Sequence, residues 1–431
     1  MVLVKILVPY PTGSETISIR TLLFNNLITV FKKNVDIKIQ RLLYQPEKLD
    51  IVIDDIPNVI SLDLRNYKNA FDVLKKEKPD LIYANPYAAF IDYSFCFAAK
   101  KLNIPVFTIM NYENFHTKNY HAVIQNTRKL FSNNVEVEIS KNKKSFLRRA
   151  KFIIYKLFFM VKTIYFSSDG FFKNSKNLIY IMKLILIPKS KLDPNLGVTK
   201  QYLRNKIQEE ELLSMGFKKS SLLVTGHPMF DHALKNLSLY QKQKTGKISV
   251  LLLPDPFYES GEWTKKQHEQ ILEQIIKIIT RHKTDFSIRV KIHPSSSLMS
   301  EYEPLIHSID PSIPIFQKGS VEDFLKDSDV VLTYSSQSTA LIYSILQKKP
   351  IVIFNIFSHS YNYLVKYGLA KECTKSSLLK ETIMNSLILD ESYDNKRKTF
   401  IEKYFFKDDG LSSERICQDL LELLNIDYNH D

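Results

Sequence analysis

Short, continuously apolar runs alternate with helix-like stretches through most of the chain, and this alternation constrains the fold more than any other feature. In the first half the strand-like runs are Val4–Pro9, Ile37–Tyr44, Val59–Leu64, Asp80–Ala84 and Pro105–Met110, with helical runs such as Ile17–Lys33 and Ala70–Lys76 between them. In the second half Ile248–Leu253, Ser287–Ile292, Ile313–Phe316, Asp329–Thr333 and Pro350–Asn355 read as strands. Lys265–Arg281, Val321–Lys326, Thr339–Gln347, Ser377–Ile388 and Ser413–Leu424 read as helices. Strands that are apolar at every position are buried on both faces, which calls for a parallel sheet covered by helices on each side. The 431 residues suffice for two such domains of about 200 residues each. The polar stretch Asn236–Gly246 precedes the second strand set and is the expected linker. The predicted class is α/β: two doubly wound, Rossmann-like domains facing a cleft, spanning 1–240 and 241–405, with a ligand outside the carboxyl ends of the strands.

Lys and Arg number 60 against 46 acids, a net charge of +14. The excess is local. Between Lys141 and Leu192 stand thirteen basic residues and one acid, Asp169, so this segment carries +12 of the total. Cys96, Cys373 and Cys417 are far apart and lack metal-ligand spacing, a sparse, odd count that suits a reducing cytoplasm. No stretch reaches ~18 uninterrupted apolar residues, so no transmembrane span is expected. The amino terminus reads as a first strand rather than a secretion signal.

The run Asp329-Val-Val-Leu-Thr-Tyr-Ser-Ser-Gln-Ser-Thr339 is a buried strand followed by a loop crowded with hydroxyls. A helix and a second strand, Ile351–Phe354, come next. Backbone N–H groups and the helix dipole favour an anion at such a loop. Ser335, Ser336, Ser338 and Thr339 add hydroxyl donors there. A second strand ends in Lys291-Ile-His-Pro294, which sets His293 at its carboxyl end, where the ring can donate to a phosphate. Leu253–Glu262 has the character of a loop that closes over substrate. His-Pro is equally the mark of a plain turn, and a Ser/Thr-rich loop equally an N-cap. The pairing of the two at strand ends of one sheet is more specific than either.

The ordered motifs Gly226-His-Pro-Met-Phe-Asp231, Lys291-Ile-His-Pro294, Tyr334-Ser-Ser-Gln-Ser-Thr339, Lys348-Lys-Pro-Ile-Val-Ile353 and Asp409-Gly-Leu-Ser-Ser-Glu-Arg-Ile416 resemble the GT-B superfamily. Capsule and lipopolysaccharide glycosyltransferases and His-Pro/Ser-Ser sialyltransferases are the branches most resembled. CDP-glycerol glycerophosphotransferases and UDP-N-acetylglucosamine 2-epimerases are more distant. The resemblance implies a donor-binding set of Gly226, His227, Pro228, Lys291, His293, Pro294, Tyr334, Ser335, Ser336, Ser338 and Thr339, with His293 and the Ser335/Ser336 pair on the donor phosphate. It also implies that segment 406–431 packs back across the cleft. Two departures stand out: Tyr343 occupies the place of the glutamate that holds ribose in many GT-B donors' sites, and Pro254-Asp-Pro-Phe-Tyr258 replaces the Arg-Arg-Glu-like run of the epimerases.

Inverting transfer needs a base for the acceptor hydroxyl. Glu15, in the loop and helix start after the first strand, is the first candidate, and Glu113 and His116 follow the strand ending at Met110. Each also has an ordinary structural reading, Glu15 as a first-turn complement to the helix dipole. Asp92 is a weaker candidate on a helix flank. No Asp-x-Asp pair has the flanks of a metal-diphosphate site, so neither metal nor cofactor is expected, the nucleotide-sugar being a substrate. Within insertion 141–192, a helix over Arg148–Lys162 places Lys144, Arg148, Lys151 and Lys162 on one side, with Phe152, Ile153, Leu157 and Phe159 around much of the rest. A second helix is expected near Leu178–Ile187. Such a basic amphipathic helix lies on an anionic membrane or packs on its own domain. No nucleic-acid-binding module is present.

These features predict a cytoplasmic, membrane-peripheral, metal-independent glycosyltransferase. It would move a sugar from a nucleotide donor to a glycan or lipid-linked acceptor in cell-surface polysaccharide synthesis. The competing readings are a sugar-nucleotide epimerase, a CDP-glycerol-type transferase and a non-catalytic nucleotide or glycan binder.

Overall fold

The computed structural model describes residues 2–9, 28–31, 35–44, 58–86, 90–110, 143–167, 170–186, 196–235, 246–259, 262–294, 299–336, 338–358, 362–389 and 391–427. The chain divides into two compact units, Met1–Met229 with Leu411–Asp431, and Phe230–Gly410.

The first unit is built on a parallel sheet of β1 (Leu3–Pro9), β2 (Asp36–Leu43), β3 (Val59–Asp63), β4 (Leu81–Tyr83), β5 (Val106–Ile109), β6 (Lys200–Leu203) and β7 (Leu222–Val224). Their order is β3-β2-β1-β4-β5-β6-β7, so the strand sequence reverses direction at β1/β4. The register runs Ile6 against Ile39 on one side and against Leu81 on the other. Val4, Ile6, Leu7 and Val8 of β1 are all buried, as strands covered on both faces require. Around this sheet lie α1 (Ala70–Glu77), α2 (Phe90–Leu102), α3 (Lys143–Tyr165) and α4 (Phe171–Leu186). Helix α1 starts where the Asn69 side chain accepts from the Asp72 amide, a side-chain N-cap.

The second unit has β8 (Ile248–Leu253), β9 (Phe286–Lys291), β10 (Ile315–Phe316), β11 (Val330–Thr333), β12 (Ile351–Phe354) and β13 (Lys371–Cys373). They are parallel, in the order β10-β9-β8-β11-β12-β13. Helix α5 (Lys265–Arg281) opens on a reciprocal capping box between Thr264 and Gln267, and buries Ile271, Leu272, Ile275, Ile276 and Ile279 on one stripe. Helices α6 (Ala340–Leu346) and α7 (Glu391–Tyr404) belong to the same unit. The chain then returns to the first unit as α8 (Ser412–Leu423), whose Ile416, Cys417, Leu420 and Leu421 complete the core around β1 and β2. Asp419 on α8 accepts from Lys200 Nζ at 2.9 Å and from Tyr202 hydroxyl at 2.8 Å.

Two parallel sheets flanked by helices match the fold class expected from the sequence. Strands β6, β7 and β13 and helix α7 were not expected. β13 is Lys-Glu-Cys at a sheet edge, and α7 is polar over most of its length, so neither carries a hydrophobic period. The basic helix exists, but much of its expected lipid-facing side is its inner face. Phe159 is buried against Phe95, and Leu157 packs on the core with Met160 and Ile164. Burial also pushes the Lys156 amine down to about 8.

Candidate functional site

The chemistry-bearing loops of the second unit leave the carboxyl ends of β8, β9 and β11. β8 lies between the other two, so the chains of β9 and β11 stand roughly 10 Å apart, two ladder spacings.

Asp255, two residues beyond β8, is buried, and its Oδ2 is the focus of the loop after β11. It accepts from Thr333 Oγ1 at 3.0 Å, Tyr334 N at 3.2 Å, Ser335 N at 2.8 Å and Ser335 Oγ at 3.2 Å. Burial raises its carboxyl to about 6, opposed by the hydrogen bonds from Thr333, Ser335 and the two backbone amides. The strand end of β11 is thus an anion-holding nest, occupied by a carboxylate of the chain itself.

This arrangement sorts the hydroxyl loop. Ser335 is committed to Asp255. Ser336 is buried, and its Oγ accepts from the Leu364 amide at 3.2 Å, tying the loop to the segment after β12. Tyr334 is a core residue: its ring lies 5.3 Å from that of Trp263, and burial pushes its hydroxyl well above the usual range. Ser338 and Thr339 are half-buried, Ser338 Oγ accepting from the Ala340 amide at 3.3 Å at the start of α6. His293 is half-buried and Pro294 exposed, two and three residues beyond β9. Lys291 is buried; its Nζ donates to the carbonyls of Gln317 at 2.8 Å and Ile292 at 3.2 Å, and burial lowers its affinity for the proton. The accessible members of the implied donor set in this unit are therefore His293, Pro294, Ser338 and Thr339. The loop after β8 does not hang free over them: Phe257 is buried and packs on Trp263 at 4.8 Å between ring centroids. Tyr343 is buried with its ring 5.1 Å from that of Phe230.

Gly226, His227 and Pro228 belong to the first unit. His227 is buried; its Nδ1 accepts from the Met229 amide at 3.3 Å, and burial, aided by the Arg204 charge, drives its pKa well down. Gly226 has φ +89°, and a Cβ there would collide with Ser412 Oγ. Asp92 is buried and accepts from the Asn85 amide at 3.0 Å, a loop-bracing role. Glu15, Glu113 and His116 lie outside the described residues.

Sequence reasoning missed Asp255, and with it the polar cluster behind the loop. There Glu259 accepts from the Tyr302 hydroxyl at 3.1 Å, and the His268 ring stacks at 5.4 Å on Tyr258. Desolvation holds the His268 ring below its usual pKa. The available signal was Pro254-Asp-Pro256, a carboxylate held by two prolines at a strand's end.

No family model matches the chain, and no curated protein sequence matches it. Solved structures do. The S. aureus MnaA–UDP co-structure matches with TM-score 0.55 and 15% identity over 100% of this chain and 99% of that one. The UDP-GlcNAc 2-epimerase of Methanocaldococcus jannaschii, in complex with UDP-GlcNAc and UDP, matches with TM-score 0.54 and 15% identity over 97% and 99%. The H444N variant of the wall teichoic acid polymerase TagF matches with TM-score 0.52 and 11% identity over 98% and 89%. At these identities the likeness is one of fold: two parallel-sheet, Rossmann-like α/β domains in one chain, as in those structures.

Proposed function

We propose that this protein is a nucleotide-sugar-dependent glycosyltransferase, inverting and metal-independent, that works in cell-surface polysaccharide synthesis. The observation that carries the reading is the nest at the end of β11, four hydrogen bonds aimed at one anionic oxygen, with the accessible His293, Ser338 and Thr339 at the same end of the sheet. Asp255 shapes the loop. His293 and the two hydroxyls then stabilise the negative charge that grows on the nucleotide as it leaves, an electrostatic contribution to the transition state. A first-unit group, Glu15, Glu113 or His116, takes the acceptor's proton. The acceptor is a glycan or lipid-linked saccharide at an anionic membrane surface, approached through segment 141–192 at the cytoplasmic face. The UDP and UDP-GlcNAc complexes among the similar structures support a nucleotide-sugar ligand.

A second reading, a UDP-N-acetylglucosamine 2-epimerase, is favoured by the epimerase among those structures. Against it stands Pro254-Asp-Pro-Phe-Tyr258, where Asp255 braces a loop instead of an Arg-Arg-Glu-like run meeting substrate. The resemblance of the sequence motifs to CDP-glycerol glycerophosphotransferases keeps that donor as a third reading.

Binding of CMP, CDP, UDP and GDP to the wild type and to His293→Ala tests the proposal. Tight binding of one nucleotide, weakened about tenfold or more in the variant, is expected for a lost charge-assisted contact. Equal binding in both removes His293 from the site. Turnover of UDP-N-acetylhexosamine without any acceptor establishes the epimerase instead.

A further inference from the structure

Helices α3 and α4 present two apolar faces where one suffices. The described inner face of α3 is used: Phe159, Met160 and Ile164 are buried, and Thr163 Oγ1 accepts from the Ala70 amide at 3.2 Å. The outer face is apolar as well. Lys151, Ile154, Phe158, Lys162 and Tyr165 are all exposed and, at about 100° per residue, share roughly 80° of the circumference. On α4 the exposed residues include Phe171, Phe172, Lys173, Lys176 and Ile179. Among the described residues, every exposed large aromatic lies between Phe158 and Phe172, and Phe172 is 90% exposed.

The end of α3 is tied to the start of α4. Ser167 Oγ donates to Asn174 Oδ1 at 2.9 Å, both side chains being buried, and the Asn174 amide bonds to the Gly170 carbonyl. Phe166 beside the end of α3 and Phe171 and Phe172 at the start of α4 are all exposed. Phe171 and Phe172 meet edge to face at 6.1 Å, and Lys162 Nζ sits 4.5 Å over the Phe158 ring.

What covers this surface must accept aromatic rings and a dense positive charge together. A second copy meeting it face to face would set lysines against lysines. An anionic bilayer meets both demands, taking rings into the boundary between headgroups and acyl chains and lysines against phosphate. Among the described residues no helix is long and apolar enough to cross a membrane, so the contact is with one leaflet.

We propose that the end of α3 and the start of α4 form an insertion surface: Phe166, Phe171 and Phe172 enter one leaflet of an anionic membrane while Lys151, Lys162, Lys173 and Lys176 lie against its headgroups. This deepens the surface location proposed above by naming the inserting residues and requiring insertion rather than adsorption.

The test is co-sedimentation of the full chain with vesicles of phosphatidylcholine alone or mixed with phosphatidylglycerol. The wild type, Phe171→Ala/Phe172→Ala and Lys173→Gln/Lys176→Gln are compared, with melting temperature and nucleotide binding measured on the same samples. Expected is wild-type binding to the anionic vesicles only, weakened about tenfold or more in each double variant at unchanged melting temperature. Absence of wild-type binding overturns the insertion surface, and so does full binding by the phenylalanine variant, which would mean charge adsorption. A concentration-dependent dimer that the phenylalanine variant dissolves assigns the surface to a second copy and also overturns it. Nucleotide binding without vesicle binding refutes the insertion surface alone; vesicle binding without nucleotide binding refutes the transferase reading alone.

Discussion

Asp255 is a carboxylate held in a place that costs it solvation. Its four hydrogen bonds offset part of that cost, and its pKa still stands at about 6 against an ordinary 3.8. The folded protein therefore binds this proton more tightly than the unfolded chain. The associated stability is fully present below about pH 4 and is lost as pH rises through about 6, a change on the order of 3 kcal/mol. Asp255→Asn keeps an oxygen that can accept the same bonds and removes the ionisation. Its denaturation midpoint should vary less between about pH 4 and pH 7 than that of the wild type, and rise relative to it above pH 6. Identical pH profiles for the two proteins would show that Asp255 is not the titrating group. The residue was illegible in the sequence for a plain reason: its partners are 78 to 80 positions away. Local pattern identified a hydroxyl-rich loop but could not say which hydroxyls face inward. Only tertiary pairing separates Ser335 and Ser336 from Ser338 and Thr339.

At the scale of the element, α3 shows what helical periodicity can and cannot decide. It identifies which residues share a stripe but not which stripe is inside, unless one is polar. Here both are apolar, and the lysines were the only available marker. Lys156 misleads, since it lies in the middle of the buried arc, its long stem covering apolar surface. Neighbouring phenylalanines consequently have opposite roles. Phe159→Ala should cost about 3–5 kcal/mol through lost burial and a cavity against Phe95. Phe158→Ala should change stability by no more than about 0.5 kcal/mol. Thermal or urea unfolding of the two variants checks the contrast, and equal destabilisation would mean the helix is rotated from the orientation described here. The regular elements were legible where they carried a strong period, as with α5, which begins and ends where its pattern does. β6, β7 and β13 span only three or four residues, too few to establish any pattern.

At the scale of the whole molecule, a motif that the resemblance assigned to the donor and one that it assigned to a segment packing across the cleft are partners of each other. Gly226-His-Pro and Asp409-Gly-Leu-Ser-Ser-Glu-Arg stand nearly two hundred residues apart, yet Arg415 Nη1 donates to the Thr225 carbonyl at 2.9 Å and Ser412 fills the space a side chain at 226 would need. The carboxyl-terminal helix is thus a structural part of the first unit. Removing Leu411–Asp431 deletes Ile416, Cys417, Leu420 and Leu421 from that unit's core. At about 2 kcal/mol for each buried side chain, the loss rivals the 5–15 kcal/mol that separates a typical domain from its unfolded state. Among the described residues that core draws only on the first unit, so the second unit should keep its fold. Trp263, the single tryptophan, packs there against Phe257, Tyr334 and Phe357 and reports on that unit alone. The truncated chain should therefore lose part of its far-ultraviolet dichroism while its tryptophan emission and its emission-detected melting stay those of the full protein. A tryptophan signal that collapses with the truncation would mean that the two units fold as one cooperative body, and that the nest around Asp255 depends on a helix 157 or more residues further along the chain.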